Sequence, residues 1–556
     1  MSNNDNLLQI YASSFRKNWD LPALTEFGSG QTMTYADLAR RIASLHLLFK
    51  ESGVRQGDKI AIMGRNSMSW VVVYMAVLTY GAVVVPVLHD FNVQDAQHII
   101  NHSDSVMLFI NESIFDNMEF EKIPQVKAVL SLDRRAILAE HPVTNQVAEK
   151  FLAKLPEKMR RKYPHGFTTA DVDYPEIDES ELAEINYTSG TTGFSKGVML
   201  TLRNLGGNVR FGLQSHLHYR GSRALSFLPL AHAYGCAFDM LTPLAAGTHI
   251  TILGKLPTPK LLLKAFAEVK PNLIICVPLI LEKIYRNKLR PIIEKGAIRH
   301  ALKIPGVNSI VFRKIRSQLI EAFGGEFAEV IVGGAPLNHE VEEFLRRIKF
   351  PFTVGYGMTE CGPLISYTPS RQFIIGSSGR TLPTMESKIA DSADPARIPG
   401  EICVRGENVM QGYFKNPEAT EAVLDAEGWL HTGDMGTISD DRTIFIRGRY
   451  KTMILGASGQ NIYPEEIEAK LNNMPYVAES LVVERGKHLV ALVYPDYEAM
   501  DRDKISNEKL PEIMEQVRTD LNKLVAPYER IDRIQLIANE FEKTPKRSIK
   551  RYLYNA

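Results

Sequence analysis

Apolar positions between residues 33 and 90 follow two different spacings in turn. After Thr34 they recur every three or four residues as far as Phe49, which predicts a helix capped by Thr34 and ended by Gly53. Lys59–Met63 is a short, nearly continuous apolar run of strand length. Residues 70–80 return to the helical pattern, and residues 82–86 read as extended. Helix and strand alternating in this way predict an α/β fold with a largely parallel sheet. Residues 70–88 carry no charge and have the length of a membrane span, but Thr79, Gly81 and Pro86 interrupt them. The expectation is a buried helix turning at Gly81 into a buried strand.

Residues 133–180 break the alternation. They are charged, helical in pattern and carry the basic run Arg160-Arg161-Lys162, so an exposed insertion is expected. Strand-like runs resume at 224–228, 249–253, 273–277, 329–332 and 400–404. Near Lys451 a strand ends, and a compact unit rich in Glu and Lys follows, with its own strands at 478–484 and 488–494. The expected domains are residues 1–448 and 449–556.

The densest chemistry lies in residues 187–197. Thr188, Ser189, Gly190, Thr191, Thr192, Gly193 and Lys196 sit between two strand-like runs. Glycines let backbone N–H groups approach an anion, hydroxyls donate further bonds, and the lysine adds a mobile charge. The nucleoside-triphosphatase P-loop is excluded, because Gly197 follows Lys196 where that motif needs a magnesium-holding hydroxyl. Gly333-Gly334-Ala335-Pro336 closes another strand with small residues, against which a flat ring could lie. In Tyr356-Gly357-Met358-Thr359-Glu360 an aromatic could stack on a base, a hydroxyl meet a phosphate, and a carboxylate hold magnesium. The same residues would equally make a helix start capped by Thr359. Asp434, in Trp429-Leu430-His431-Thr432-Gly433-Asp434, could accept two hydrogen bonds from a sugar diol.

Composition narrows the classes. At 556 residues the chain exceeds one hydrophobic core. Its 65 basic and 64 acidic residues balance to +1, which gives no support for nucleic acid or an anionic membrane as main partner. Four separated cysteines, Cys236, Cys276, Cys361 and Cys403, form no C-x-x-C pair, so a reducing, cytoplasmic setting is expected.

The run Tyr-Thr-Ser-Gly-Thr-Thr-Gly-x-x-Lys-Gly resembles the signature of the adenylate-forming (AMP-binding) enzymes, and five further motifs follow in that family's order. The resemblance covers residue 30 to the C-terminus and is greatest to long-chain fatty acyl-CoA synthetases. It implies a large N-terminal domain of α/β layers with a β-barrel-like subdomain, and a small mobile α+β C-terminal domain. It implies ATP, Mg2+ and CoA as cofactor and cosubstrates. Tyr356 would face adenine, Thr359 the α-phosphate, Thr188 and Glu360 the metal, and Asp434 and Arg449 the ribose. Lys451 would be the hinge, followed by a loop with Gly456 and Gly459. The segment around His232 resembles the acyl- and aryl-activating branch, and Thr188, Lys196, His232 and Glu360 form the expected catalytic set. At the C-terminus the family's lysine aligns with Ser548, and a register shift would let Lys546 serve instead. The expected activity is a fatty acid–CoA ligase. The alternatives are an aryl or medium-chain acid ligase, an adenylate-only ligase, and a catalytically impaired nucleotide- or acyl-binding protein. Peripheral membrane association and a homodimer stay open.

Overall fold

The computed structural model describes residues 6–144, 146–188, 196–302, 304, 306–455, 460–486, 488–544 and 549–554. Ser189, Gly190, Thr191, Thr192, Gly193, Gly456, Gly459, Lys546 and Ser548 lie outside the described residues.

The periodicity after Thr34 becomes a helix, Tyr35–Glu51, closed by a capping box in which Thr34 and Asp37 satisfy each other's backbone N–H. Lys59–Met63 is a strand; Met68–Tyr80 is a helix ended by Gly81 in the left-handed conformation, and Val83–Val87 is the next strand. That helix is apolar on every face because it is buried on every face, with Trp70 and Tyr74 wholly inaccessible. Among the described residues no helix is long and apolar enough to cross a membrane.

These elements build an eight-stranded sheet. Lys59–Met63 lies parallel to both Val83–Val87 and Ser105–Ile110, and Ala128–Ser131 continues the parallel run. On the other side Leu182–Thr188 joins parallel to Val83–Val87, and Lys196–Thr201 then returns antiparallel, with Gly412–Tyr413 as the edge. A second parallel sheet of three strands holds Ile274–Cys276, Val330–Val332 and Phe352–Val354. Residues 364–449 supply antiparallel sheets, including Gly400–Gly406, Leu430–Ile438 and Ile444–Arg449, where the barrel-like subdomain is expected.

The stretch 133–180 is not a detached insertion. Ile137–Glu140 pairs with Ala128–Ser131 at the sheet edge, and Ala148, Phe151, Leu155, Val172 and Tyr174 are buried in the main core. Much of the rest is exposed as expected, the basic run Arg160 to Lys162 included. Charge density misleads here because the few apolar residues are the ones that point inward.

The C-terminal domain has a separate core of Ile467, Leu471, Val482, Val517 and Leu521. Its sheet pairs Val477–Arg485 with His488–Pro495, and Arg533–Leu536 adds a parallel strand. Polar bonds link it to the large domain: Asn338 Nδ2 donates to Asn473 Oδ1 (2.5 Å), and Arg286 Nη2 donates to the Asn472 carbonyl (3.4 Å).

Candidate active site

Strand order brings the separate motifs together. Thr188 and Lys196 are partners across the antiparallel pair, so both ends of the hydroxyl-rich segment leave the sheet side by side. Gly412–Tyr413 runs beside Lys196–Thr201, with the Phe414 N–H donating to the Gly197 carbonyl (2.7 Å). This places the Tyr413 ring under Lys196, whose Nζ stands 4.6 Å from the ring centroid. The same tyrosine reaches the metal-candidate segment, because its hydroxyl donates to Glu360 Oε1 (2.9 Å). Burial and the Glu360 carboxylate hold the Tyr413 hydroxyl protonated, well above its ordinary range. Lys196, Tyr413 and Glu360 thus form one contiguous unit, although 217 positions separate Lys196 from Tyr413 in sequence.

Tyr413 was not among the expected site residues. The signal for it was weak: an aromatic beside Gly412, far in sequence from both its partners. Glu360 Oε2 carries no hydrogen bond or ion pair among the described residues, which leaves a hard oxygen donor available to a hard cation such as magnesium.

The turn holding Glu360 is a single 3-10 turn, Thr359–Cys361, rather than a helix. Thr359 lies inside it and is buried, so it is not the cap. Gly357 is needed just before it. A Cβ there would stand 2.2 Å from the Pro363 carbonyl oxygen, which is backbone and cannot swing away. Gly357→Ala is expected to cost about 1–3 kcal/mol, as overpacking does, read as a lower midpoint in denaturant with unchanged slope.

Asp434 and Arg449 face each other across two antiparallel strands. Arg449 Nε lies 3.2 Å from Asp434 Oδ1, and the Tyr356 hydroxyl donates to Asp434 Oδ2 (2.6 Å). Burial pushes the Asp434 carboxyl above the usual carboxylate range, against the opposing pull of Arg449 and Tyr356. A carboxylate has about four lone-pair sites, so two stay available for a diol. Upstream, Glu401 fixes the turn that presents Asp434: Oε1 accepts the Gly433 N–H (3.0 Å), and Oε2 meets His431 Nδ1 (2.8 Å). Lys451 is exposed and stands within a 3-10 turn immediately beyond Arg449.

An apolar pocket opens beside these groups. Its walls include His232, Tyr234 and Phe238 on one side, with Gly333, Gly334 and residues 355–359 on the other. Leu217, Ile275, Ile331, Pro363, Leu364 and Tyr367 complete it. Gly334 adopts φ +85°, which favours glycine, and a Cβ on Gly333 would press to 2.9 Å from the Tyr234 ring. Ala335 and Pro336 follow on the exposed side. The Tyr234 hydroxyl donates to the Ile331 carbonyl (3.1 Å), which locks the ring against the glycines. His232 is half-buried, and its Nδ1 accepts the Tyr234 N–H (3.3 Å), so it caps the short helix and lines the pocket at once. No acidic side chain lines the pocket among the described residues. Asp239 is wholly buried behind it, accepts the Leu228 N–H (3.3 Å), and has its carboxyl pushed up to about 8 by burial.

Known proteins resemble this chain in sequence and in fold. A long-chain-fatty-acid–CoA ligase of Mycobacterium bovis, FadD15, is 29% identical over 508 residues, covering 86% of this chain and 79% of that protein. A 4-coumarate–CoA ligase 2 from Oryza sativa is 29% identical over 553 residues, covering 93% and 86%. The crystal structure of ATP-bound MatB from Rhodopseudomonas palustris superposes with a TM-score of 0.76 at 22% identity, covering 99% and 98% of the two chains. The description "AMP-binding enzyme" matches residues 12–414, and the chain belongs to that family.

Proposed function

We propose that this protein is an ATP-dependent acid–CoA ligase whose acid is a long-chain fatty acid. The observation that carries the reading is the shared use of residues 355–359. They line the apolar pocket, and they lead into Glu360 and the Asp434-bound Tyr356. An apolar acid and a nucleotide can therefore meet on the same backbone segment. The absence of an acidic pocket residue among those described speaks against an amino-acid substrate, whose ammonium would need one. Curated relatives from Mycobacterium, Salmonella and Escherichia carry the long-chain name, which favours a fatty over an aromatic acid.

In this reading the acid's carboxylate attacks the α-phosphorus of ATP and pyrophosphate leaves. The CoA thiol then attacks the acyl carbon and AMP leaves. Asp434 and Arg449 hold the ribose, Tyr356 presents its ring to the base, and Lys196 offsets phosphate charge. Magnesium bound by Glu360 and Thr188 would neutralise further phosphate charge. The domains divide at residues 448 and 449, with Lys451 as the hinge about which the small domain turns between the two half-reactions. His232 lies at the pocket wall, where it would steer the carboxylate.

Ser548 motivates one competing reading, a nucleotide- and acyl-binding protein that lacks the adenylation lysine. Pyrophosphate release measured with MgATP, CoA and acids of increasing chain length separates the two. The ligase reading expects turnover that rises towards long saturated acids and is weak with coumarate. Turnover highest on an aromatic acid overturns the chain-length assignment. No turnover with any acid, restored by Ser548→Lys, establishes the binding-protein reading.

A further inference from the structure

Among the described residues, one group of sulfur, nitrogen and oxygen donors converges away from Glu360. It consists of Glu401, Cys403 and His431, whose ligating atoms all lie within 4.8 Å of one another. The sheet builds this group. Cys403 and His431 stand opposite each other on the antiparallel strands Gly400–Gly406 and Leu430–Ile438. Between that pair and the next, Glu401 opposite Met435, the register slips by two residues. The surplus residues form the bulge that presents Asp434.

Hydrogen bonding alone does not account for the three side chains. His431 Nδ1 meets Glu401 Oε2 at 2.8 Å and Cys403 Sγ at 3.5 Å. One ring nitrogen carries either one proton or one lone pair, so it cannot serve both partners along the same direction. A cation at the shared centre serves all three. In a tetrahedral zinc site, bonds of about 2.3 Å to sulfur and 2.0 Å to nitrogen put those two atoms about 3.5 Å apart, the separation found here. The nitrogen and the carboxylate oxygen must open by about 0.6 Å to reach the same geometry, and rotation of the part-exposed Glu401 side chain supplies that. Cys403 is buried, whereas Glu401 and His431 are part exposed, so an ion can enter from their side and keep a water in its fourth position.

The surroundings suit a cation. Glu401, Asp425 and Asp391 bring negative charge to the Cys403 thiol, against Lys388, which is held over the Trp429 ring (4.3 Å). Asp425 Oδ2 lies 3.9 Å from His431 Nε2, the nitrogen left over when Nδ1 binds a metal. Its other oxygen accepts the Glu427 N–H (2.9 Å) and the Trp429 N–H (2.8 Å), which fixes the carboxylate in place. A carboxylate behind the outer nitrogen of a ligating histidine orients the ring and raises its basicity.

We propose that Cys403, His431 and Glu401 bind one divalent cation of the zinc class, with Asp425 orienting the histidine. Sulfur and imidazole donors select such an ion over magnesium, which the all-oxygen donor Glu360 suits. The cation replaces the thiol proton, which leaves to water. Glu401 Oε1 meanwhile keeps the Gly433 N–H (3.0 Å), so the ion clamps the turn that carries Asp434. Nothing in this assignment depends on which acid the protein activates.

The test is titration of the full chain, stripped of metal and kept reduced, with Co2+ as a spectroscopic stand-in for zinc. One Co2+ per chain is expected, with a thiolate-to-cobalt charge-transfer band in the near ultraviolet. Zn2+ should erase the band and Mg2+ should not. Cys403→Ala should lack the band, although Cys236, Cys276 and Cys361 remain, and Glu360→Gln should keep it. Asp425→Asn should keep the band but bind Co2+ about tenfold more weakly. Zn2+ should raise the unfolding temperature of the wild type and leave that of Cys403→Ala unchanged, and the variant's own cooperative transition shows that it folds. Cobalt bound without a thiolate band is an adventitious ion only and overturns the proposal. So does a band that survives in Cys403→Ala, or equal stabilisation of both proteins by Zn2+. Absence of fatty-acid turnover would retire the ligase reading and leave this site standing.

Discussion

Asp434→Asn is expected to lower kcat/KM for ATP about 100-fold while leaving the fold as stable as before or slightly more stable. The two effects have one origin. Asp434 is buried, and its carboxyl is held above the usual range because burial outweighs the help of Arg449 and Tyr356. Folded Asp434 therefore binds its proton more tightly than the unfolded chain does. Its ionisation removes stability as pH rises from the ordinary carboxylate value of about 4 through the raised folded value. Below both values that loss is absent. Asparagine keeps the shape and an acceptor for the Tyr356 hydroxyl, and it abolishes the cost of burying a charge. What it cannot keep is the strength of an anionic acceptor. Hydrogen bonds to charged groups contribute about 1.5–3 kcal/mol each, so weakening two to a ribose diol accounts for roughly two powers of ten. Steady-state kinetics and thermal unfolding on one preparation check both halves. A large fall in the unfolding temperature with activity falling in proportion would show that Asp434 is only a structural residue. The acidic limb of the kcat/KM profile in wild type, absent from Asp434→Asn, is the independent sign.

The sequence disclosed the elements whose signal is local. Lys59–Met63 and Val83–Val87 were readable because central parallel strands are buried on both faces and become continuous apolar runs. The Thr34 cap was readable because a capping box is written in four adjacent residues. Asp434 and Arg449 could be named from short motifs, and the antiparallel register brings them opposite each other. Tyr413 was not legible, since its role depends on a two-residue edge strand pairing with Lys196–Thr201. The pocket was equally hidden: Leu217, Phe238 and Ile331 are ordinary core residues in sequence and become walls only once two sheets are packed. Residues 133–180 misled because average charge was read in place of the few positions that face the core.

The second large effect concerns the Lys196–Tyr413–Glu360 unit, where a double-mutant cycle separates electrostatics from positioning. Glu360→Gln keeps the side-chain length and an oxygen for the Tyr413 hydroxyl, and removes the charge. Loss of one preorganised electrostatic group costs about 10²–10³ in kcat, and that is the fall expected. The magnesium concentration giving half-maximal rate should rise at least tenfold, the lower end of what metal sites lose even when an outer partner is removed. Tyr413→Phe leaves both charges in place. It removes one hydrogen bond to a carboxylate, which predicts about a tenfold loss, and it keeps the ring beneath Lys196. If Tyr413 acts by aiming Glu360, its hydroxyl has little left to do once Glu360 is uncharged. The double variant should then be scarcely worse than Glu360→Gln alone, an interaction energy of about 1 kcal/mol. Strict additivity would mean that Tyr413 acts on the phosphates through Lys196, independently of Glu360. An unchanged magnesium requirement in Glu360→Gln would remove the metal from this carboxylate altogether.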